Sequence, residues 1–170
     1  MTRTARSARP GGSKIVIASA LGPLGKRLRR SGRRVVFTNG CFDLVHPGHL
    51  ALLEAARALG DALVVGVNSD SSVRRLKGPG RPLVPQKDRA RMLAALECVD
   101  HVTIFSGSTP LRTILRLRPD VLVKGADWRR DDIVGRAEVE GWGGHVARVA
   151  LKGGYSTTRL LDRLAGKAVR

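Results

Sequence analysis

Residues 34–60, RVVFTNGCFDLVHPGHLALLEAARALG, contain the clearest structural pattern in the chain. The apolar run Val35–Phe37 predicts a buried strand, and the amphipathic pattern over Pro47–Leu59 predicts a helix. A proline suits the first turn of a helix, where its missing N–H costs nothing. His46 and His49 are therefore expected at a helix N-terminus close to the carboxyl end of a strand. Open parallel sheets bind their ligands at that edge.

A helix N-terminus of this kind attracts an anion, most simply a phosphate, because its N–H groups are unpaired and its dipole is positive there. Gly48 leaves the surface between the two imidazoles open, so a phosphate can approach the backbone. Both imidazoles could donate hydrogen bonds to phosphoryl oxygens while charge builds on them. A lone histidine would more simply be a surface or capping residue. The pattern H-x-G-H directly after V-V-F-T-N-G-C-F-D favours catalysis by His46 and His49.

The composition predicts one globular domain without a disulfide framework. At 170 residues and 42% hydrophobic, the chain can bury one core. Its two cysteines, Cys41 and Cys98, are predicted to be free thiols, in keeping with a reducing cytoplasm. No second cysteine or histidine lies at zinc spacing from either, so no metal ligation by protein side chains is expected.

The net charge of +17 raises the question of nucleic acid or an anionic membrane as a partner. Residues 1–34 hold ten basic residues and no acidic one, which leaves +7 on residues 35–170. The segment Met1–Ser13, rich in Arg, Ser, Gly and Pro, is predicted to be a disordered basic tail.

The apolar run at 15–21 is interpreted as a docking segment before a basic helix at 21–31 rather than as a signal peptide. No run reaches the ~20 apolar residues of a membrane helix. We therefore expect a cytoplasmic protein with no membrane partner and no specific nucleic-acid partner.

Four further apolar segments alternate with helical patterns along the rest of the chain. Strands are predicted at 62–67, 98–105, 120–123 and 145–149, and helices at 86–96, at about 108–118 with a cap in Ser108-Thr109, and at 131–141. The helix at 86–96 is expected to bury Met92, Leu93 and Leu96, with Arg89 on its opposite side. The basic, Gly- and Pro-rich stretch Arg74–Pro82 is predicted to be a loop. Five β-α repeats indicate an α/β fold with a parallel sheet.

The motif around the two histidines resembles that of the H-x-G-H nucleotidyltransferases, which join a nucleotide to a phosphorylated small molecule. Within that class the chain is most similar to the D-glycero-β-D-manno-heptose 1-phosphate adenylyltransferases of lipopolysaccharide synthesis. The resemblance implies one Rossmann-like, doubly wound α/β domain over residues 14–170, with a five-stranded parallel sheet and the first strand central. Some relatives carry a kinase domain on the N-terminal side. None is visible in these residues, so we expect another chain to supply the sugar 1-phosphate.

The resemblance also implies a nucleotide site built from three segments. The H-x-G-H region is expected to contribute Thr38, Asn39, Gly40, Cys41, Phe42, His46, Gly48 and His49. The K-G-A-D segment, where the family carries K-G-G-D, is expected to contribute Lys124, Gly125 and Asp127. The G-Y-S-T-T segment, similar to the family's G-x-S-T-T, is expected to contribute Tyr155, Ser156, Thr157 and Thr158, although a helix cap alone would explain Ser156 or Thr157. Arg89 matches the arginine of the pattern R-P-x-x-P-x-x-x-R and is a further candidate.

A sugar-phosphate site is implied by V-N-S-D-x-S-x-x-x-L-K-G-x-x-R-P, which resembles the segment that closes over that substrate in heptose adenylyltransferases. The expected substrate contacts are Asn68, Asp70, Lys77 and Arg81, together with Asp43. Lys77 and Arg81 would neutralise phosphate charge, a task suited to long cationic side chains. On composition alone, the same segment is equally explained as a solvated connector.

The implied reaction is adenylyl transfer, in which a sugar 1-phosphate oxygen attacks the α-phosphorus of ATP in line and pyrophosphate leaves. His46, His49 and Lys77 are the expected catalytic residues, acting by positioning and charge stabilisation. Mg²⁺ is expected to arrive with ATP. The V-D-x-V element at 99–102 implies a homodimer by analogy.

Two alternative functions stay open. One is a cytidylyltransferase acting on glycerol or ethanolamine phosphate, and the other is a non-enzymatic binder of nucleic acid or anionic surfaces.

Overall fold

A parallel sheet of five strands runs through the part of the chain that the computed structural model describes, residues 14–150 and Thr157. The strands are β1 (Val35–Gly40), β2 (Ala62–Asn68), β3 (His101–Phe105), β4 (Val121–Gly125) and β5 (His145–Val149). Their order across the sheet is β3-β2-β1-β4-β5, and each neighbouring pair is parallel. The predicted five-stranded parallel sheet with the first strand at its centre is confirmed.

Helices alternate with these strands. Within the described residues they are α1 (Leu21–Arg30), α2 (Pro47–Ala58), α3 (Asp70–Lys77), α4 (Gln86–Ala95), α5 (Leu111–Leu117) and α6 (Arg136–Gly141). Short 3₁₀ turns at Ala18–Ala20 and Arg130–Asp132 precede α1 and α6. The basic helix predicted at 21–31 and the helix predicted to begin at Pro47 are confirmed.

The central strand β1 contacts a separate apolar core on each face of the sheet. Val36 packs in the core formed with α2 and α4, whereas Val35 and Phe37 pack in the core formed with α1, α5 and α6. None of these three side chains has exposed surface. Because successive side chains of a strand point to opposite faces, a strand that is apolar at every position must be covered on both. Each such side chain stabilises the fold by about 1.5–3 kcal/mol, and the doubly wound arrangement follows.

The end of α2 is set by close packing. Gly60 follows Leu59, the C-cap of α2. A Cβ atom at Gly60 would lie 2.6 Å from Val36 Cγ2 and 2.7 Å from Arg34 O. Glycine is therefore needed because the turn into β2 passes directly against the start of β1.

Three predicted boundaries are wrong. The segment predicted as a loop from Arg74 is helical up to Lys77, so the connection between α3 and α4 covers only residues 78–85. The third strand begins at His101. The helix predicted at 131–141 is divided into a 3₁₀ turn and α6 by Gly135, whose φ is 90°. The predicted Ser or Thr cap of α5 is also wrong, since its N-cap is a proline without a side-chain cap bond.

The buried side of α4 differs from the prediction as well. Leu93 is buried as expected, but Met92 is 42% exposed and Leu96 is the partly buried C-cap. Arg89, predicted on the side opposite the core, has no exposed surface. The buried stripe of α4 consists of Arg89, Ala90, Leu93 and Ala94.

The first described residues lie on the edge of the sheet. Val16 N donates to Val102 O at 2.8 Å, and Lys14 Nζ donates to Leu96 O and Val99 O at 3.0 and 2.8 Å. The docking segment predicted before α1 is therefore confirmed. Between residues 14 and 150, no helix is both long and apolar enough to cross a bilayer. The predicted tail Met1–Ser13 lies outside the described residues.

Candidate active site

Most of the predicted site residues lie at, or shortly after, the carboxyl ends of three neighbouring strands. β1 ends at Gly40, β2 at Asn68 and β4 at Gly125, and β1 pairs with both of the others. Thr38 Oγ1 donates to Val123 O at 3.0 Å and ties β1 to β4 just before this edge. The chain proceeds from β1 to one side of the sheet and later returns to β4 on the other side. Ligands of open α/β sheets bind at such a switch point.

His46 is the N-cap residue of α2. Its φ of −140° and ψ of 167° are extended, and its Nδ1 accepts a hydrogen bond from His49 N at 3.3 Å. Because Nδ1 uses its lone pair in this way, a neutral His46 ring carries its proton on Nε2. His46 therefore caps α2 through Nδ1, and in its neutral form the proton of the ring is on Nε2.

The two histidine rings are stacked, with centroids 3.8 Å apart and an angle of 22° between their planes. Phe42 packs against His49 from 5.1 Å at 58°. The φ of Phe42 is 47°, in the left-handed region that costs a non-glycine residue about 1–3 kcal/mol. That conformation turns the chain between β1 and α2 while Phe42 stays 3% exposed against His49. Gly48 is buried in the first turn of α2.

Burial favours the neutral form of both histidines. Burial, together with the smaller effects of the nearby His46 and Lys77, lowers the pKa of His49 to about 4. Burial also lowers the pKa of His46, against a smaller opposing effect of a backbone hydrogen bond. The pair therefore offers neutral N–H donors to a phosphoryl group rather than two fixed positive charges.

Lys124 is the buried cation at the end of β4, where it is 7% exposed. Its Nζ donates to Asn39 Oδ1 at 2.7 Å and lies 5.1 Å from the centre of the Trp128 ring. Burial lowers the pKa of Lys124 to about 8, while the carboxylate of Asp127, in the exposed turn after β4, acts to raise it. Lys124 and Asn39, predicted in the same site from distant segments, are thus in direct contact.

Asp43 and Arg81 form an ion pair inside the protein. Asp43 is 1% exposed, and its Oδ2 lies 2.6 Å from Arg81 Nε. Its Oδ1 accepts hydrogen bonds from the backbone N–H groups of Leu83 and Val84 at 2.7 and 3.1 Å. The pair fastens the loop at 78–85 to the turn after β1. The substrate contacts predicted for Asp43 and Arg81 stay predictions.

Arg89 joins three segments beside the site. Its Nε donates to Val84 O at 2.8 Å, its Nη1 donates to Cys41 O, and its Nη2 lies 2.7 Å from Asp70 Oδ1. One feature of the sequence indicates the burial of Arg89. Arg89 lies four residues before the apolar Leu93, which places both on one face of α4.

The helix α3 leads from the end of β2 to Lys77. Ser69 caps it by accepting a hydrogen bond from Ser72 N at 3.2 Å, and Asp70 N donates to Gln86 Oε1 at 2.8 Å. Asn68 Nδ2 donates to Ser72 Oγ at 2.9 Å. Lys77 is the last residue of α3 and is exposed, and its charge acts on both His49 and Cys41. Burial nevertheless raises the pKa of the Cys41 thiol.

The structure thus places most of the predicted site together. Of the G-Y-S-T-T residues, Tyr155, Ser156 and Thr158 lie outside the described residues, whereas Thr157 is helical and 9% exposed. Within residues 14–150, no group of three or more His, Cys, Asp or Glu side chains could hold a metal ion.

Comparison with known proteins identifies the family. A family model described as cytidylyltransferase-like matches residues 37–160. This range contains His46, His49, most of β1 and the whole of the other four strands. The chain belongs to the cytidylyltransferase-like family. The prediction of a nucleotidyltransferase domain is confirmed.

Several relatives of this cytidylyltransferase-like chain are larger proteins. The bifunctional protein HldE of Koribacter versatilis is 52% identical over 160 residues, which cover 94% of this chain and 33% of that protein. The bifunctional protein HldE of Acidiphilium cryptum is 55% identical over 151 residues, which cover 89% of this chain and 31% of that protein. The chain spans about a third of the length of these curated relatives.

Solved structures of two other proteins share the fold. The lipopolysaccharide core biosynthesis protein of Thermoplasma volcanium has a TM-score of 0.60 and 27% identity, covering 74% of this chain and all of that one. The pantoate-beta-alanine ligase of Francisella tularensis has a TM-score of 0.62 and 12% identity, and the match covers 88% of this chain and 76% of that one. The second likeness concerns the fold alone.

Proposed function

We propose that this domain transfers an adenylyl group from ATP to D-glycero-β-D-manno-heptose 1-phosphate, giving ADP-heptose and pyrophosphate. The observation that carries the proposal is the stacked pair His46 and His49 at the N-terminus of α2, beside the charge of Lys77. The choice of heptose and adenine rests on the sequence resemblance and on about 50% identity to the HldE proteins.

In this mechanism a phosphate oxygen of the sugar attacks the α-phosphorus of ATP in line. The nucleophile is already an anion, so catalysis requires positioning and charge stabilisation rather than a general base. His46 and His49 donate hydrogen bonds to the α-phosphoryl oxygens as charge develops. Lys77 holds the sugar phosphate, and Lys124 contacts the triphosphate. The N–H groups of the first turn of α2 add a fixed positive potential.

Mg²⁺ is proposed to enter with ATP rather than to reside in a protein cage. Two of the carboxylates beside the site are paired with arginines, Asp43 with Arg81 and Asp70 with Arg89, and Asp127 lies in the exposed turn after β4. A donor set of this kind fits an ion held mainly by phosphate oxygens. When bound, the ion would neutralise charge on the β- and γ-phosphates and assist the departure of pyrophosphate.

A pyrophosphate-release panel tests the proposal. ATP and CTP are each combined with heptose 1-phosphate, glycerol 3-phosphate and ethanolamine phosphate, with His49→Ala as the inactive control. Release with ATP and the heptose phosphate alone is the expected result. Release with CTP and glycerol or ethanolamine phosphate would replace it by the cytidylyltransferase alternative. No release in any combination would refute both.

A second candidate function, binding of anionic polymers or surfaces, is favoured only by the charge of α1. Lys26 and Arg27 are among its cations, and no acidic residue precedes Asp43. Such binding would fall steeply with added salt. It would also survive His46→Ala and His49→Ala, whereas catalysis would not, so one salt titration with the two variants separates the functions.

The homodimer is also a proposal, supported by analogy at the V-D-x-V element. In the structure Asp100 of that element is used within its own chain, since its Oδ2 lies 3.0 Å from Arg57 Nε and accepts a hydrogen bond from Leu63 N at 2.9 Å. Light scattering across a range of protein concentrations measures the oligomeric state directly. A mass of 18.3 kDa at every concentration would refute the dimer.

A further inference from the structure

Four charged residues lie where three segments beside the site meet. We call Asp43, Asp70, Arg81 and Arg89 the charged junction. Arg89 holds the carbonyl of Cys41 in the turn after β1, the carbonyl of Val84 in the loop at 78–85, and the carboxylate that begins α3. The Asp43–Arg81 pair joins the same turn to the same loop. The junction is therefore a set of reciprocal contacts and not a row of solvated charges.

The junction connects both groups of proposed catalytic residues. The turn that ends in Asp43 leads directly to His46 and α2. The helix that Arg89 holds at Asp70 carries Lys77 at its far end, about 11 Å away at 1.5 Å of rise per residue. A tilt of about 5° at the start of α3 would thus move Lys77 by about 1 Å. A misplacement of that size can cost about a hundredfold in rate.

We propose that Arg89 and Asp70 are positioning residues, which set the place of Lys77 relative to His49 and act on the reaction through that geometry. This assignment differs from the substrate or nucleotide contacts that resemblance implies for the same two side chains. It agrees with the complete burial of Arg89 and with the fact that all three of its guanidinium nitrogens bind protein atoms. The kinetic part of the proposal rests on the proposed function.

The variants must keep the protein folded. Removing Arg89 entirely would leave Asp70 and two carbonyls without their partner, and breaking a buried pair is strongly destabilising. Arg89→Lys keeps the charge but cannot reproduce the planar fork that reaches three acceptors. Asp70→Asn is a second route to the same pair, because Asp70 is 28% exposed. Arg91→Gln, at an exposed position of the same helix, is the matched control.

Double-variant kinetics test the coupling. Arg89→Lys and Asp70→Asn should each lower kcat/KM by about tenfold or more, and Arg91→Gln should change it less than twofold. Combined with Lys77→Gln, either junction variant should add less than about twofold to the loss already caused by Lys77→Gln. Losses that multiply fully would overturn the proposal and would favour direct contact of Arg89 or Asp70 with substrate.

A titration in the ligand-free protein separates a positioning role from a purely structural one. The quantity measured is the change in the pKa of His49 when Lys77 is replaced, which a purely structural role would leave unaltered. The ring signals of His49 are followed by NMR against pH. Lys77→Gln should raise the pKa of His49, because it removes a cation that lowers it. This rise should be less than half as large in the Asp70→Asn or Arg89→Lys background, and an equal rise would refute the positioning role. The titration needs no substrate, so its result stands even if the wild-type protein fails the heptose assay.

Discussion

Replacing His46 by alanine and by asparagine separates the capping role of this residue from its proposed catalytic role. Alanine removes both the Nδ1 acceptor that caps α2 and the Nε2 donor. Asparagine removes the imidazole but is among the best N-cap residues. Both variants lose the ring contact with His49, so the difference between them reports the cap alone.

The structure sets the expected magnitudes. The cap bond is long, at 3.3 Å, so its loss in His46→Ala should lower the free energy of unfolding by about 0.5–1 kcal/mol relative to His46→Asn. Loss of one preorganised donor at a developing charge should lower kcat by about 10²–10³ in both variants. Pyrophosphate release at saturating substrates measures kcat, and urea denaturation measures stability. Turnover near the wild-type value in both variants would refute the catalytic role, because alanine has no side-chain donor.

Four further outcomes are expected. Lys77→Ala should raise the KM for the sugar phosphate about ten- to a hundredfold, as a charge-assisted contact of about 1.5–3 kcal/mol requires, and the KM for ATP much less; equal defects in separate titrations would contradict the assignment. Because Lys124 has a pKa of about 8, the KM for ATP should rise from pH 7 to pH 9 in the wild type, and Lys124→Met should show a high KM without that rise. Between the His49 pKa of about 4 and the ordinary value of 6.5, the unfolded chain binds more protons than the folded one, so the free energy of unfolding should increase with pH across that window. Urea denaturation of the wild type and of His49→Gln at pH 5 and pH 7 should show that the free energy of unfolding depends less on pH in the variant. Deleting Met1–Ser13 should leave turnover within about twofold, because the proposed site begins later in the chain, and loss of ATP binding would show that the tail belongs to it.

The sequence predicted the centre of the site because local rules suffice there. A buried strand and a proline at the first helical position place His46 and His49 without information from distant residues. The sheet could be predicted for a similar reason, since apolar runs that alternate with amphipathic segments have few other ways to become buried.

The helix α3 is not predicted from the sequence because little within its own eight residues stabilises it. Its eight residues, DSSVRRLK, include two apolar side chains, Val73 and Leu76, and Leu76 is 57% exposed. Isolated helices of this length are marginal in water. The helix depends on Ser69 at its cap and on the contacts of Asp70 with α4, and the latter can be seen only after the chain has folded.

Arg89 was placed on the wrong side for a related reason. A charged residue is almost never fully buried unless it is paired, so the general expectation favoured solvent. Its partners lie 48, 19 and 5 residues away in sequence, at Cys41, Asp70 and Val84. The spacing to Leu93 indicates the buried face of α4. No property of α4 alone shows that a carboxylate and two carbonyl groups from other segments would bind the guanidinium there.

The same distribution of charge explains how a very basic chain could select a transition state. Arg81 and Arg89 are each matched by a carboxylate, while burial lowers the pKa values of Lys124 and of both histidines. The resting site therefore carries far less uncompensated positive charge than a net charge of +17 suggests. In the proposed reaction, a phosphate would meet the N–H donors of the histidines and the charges of Lys77 and Lys124. The histidine donors would gain most where negative charge grows during the reaction. Interactions that strengthen only as charge develops raise kcat, whereas a site filled with fixed cations would bind ground and transition states alike.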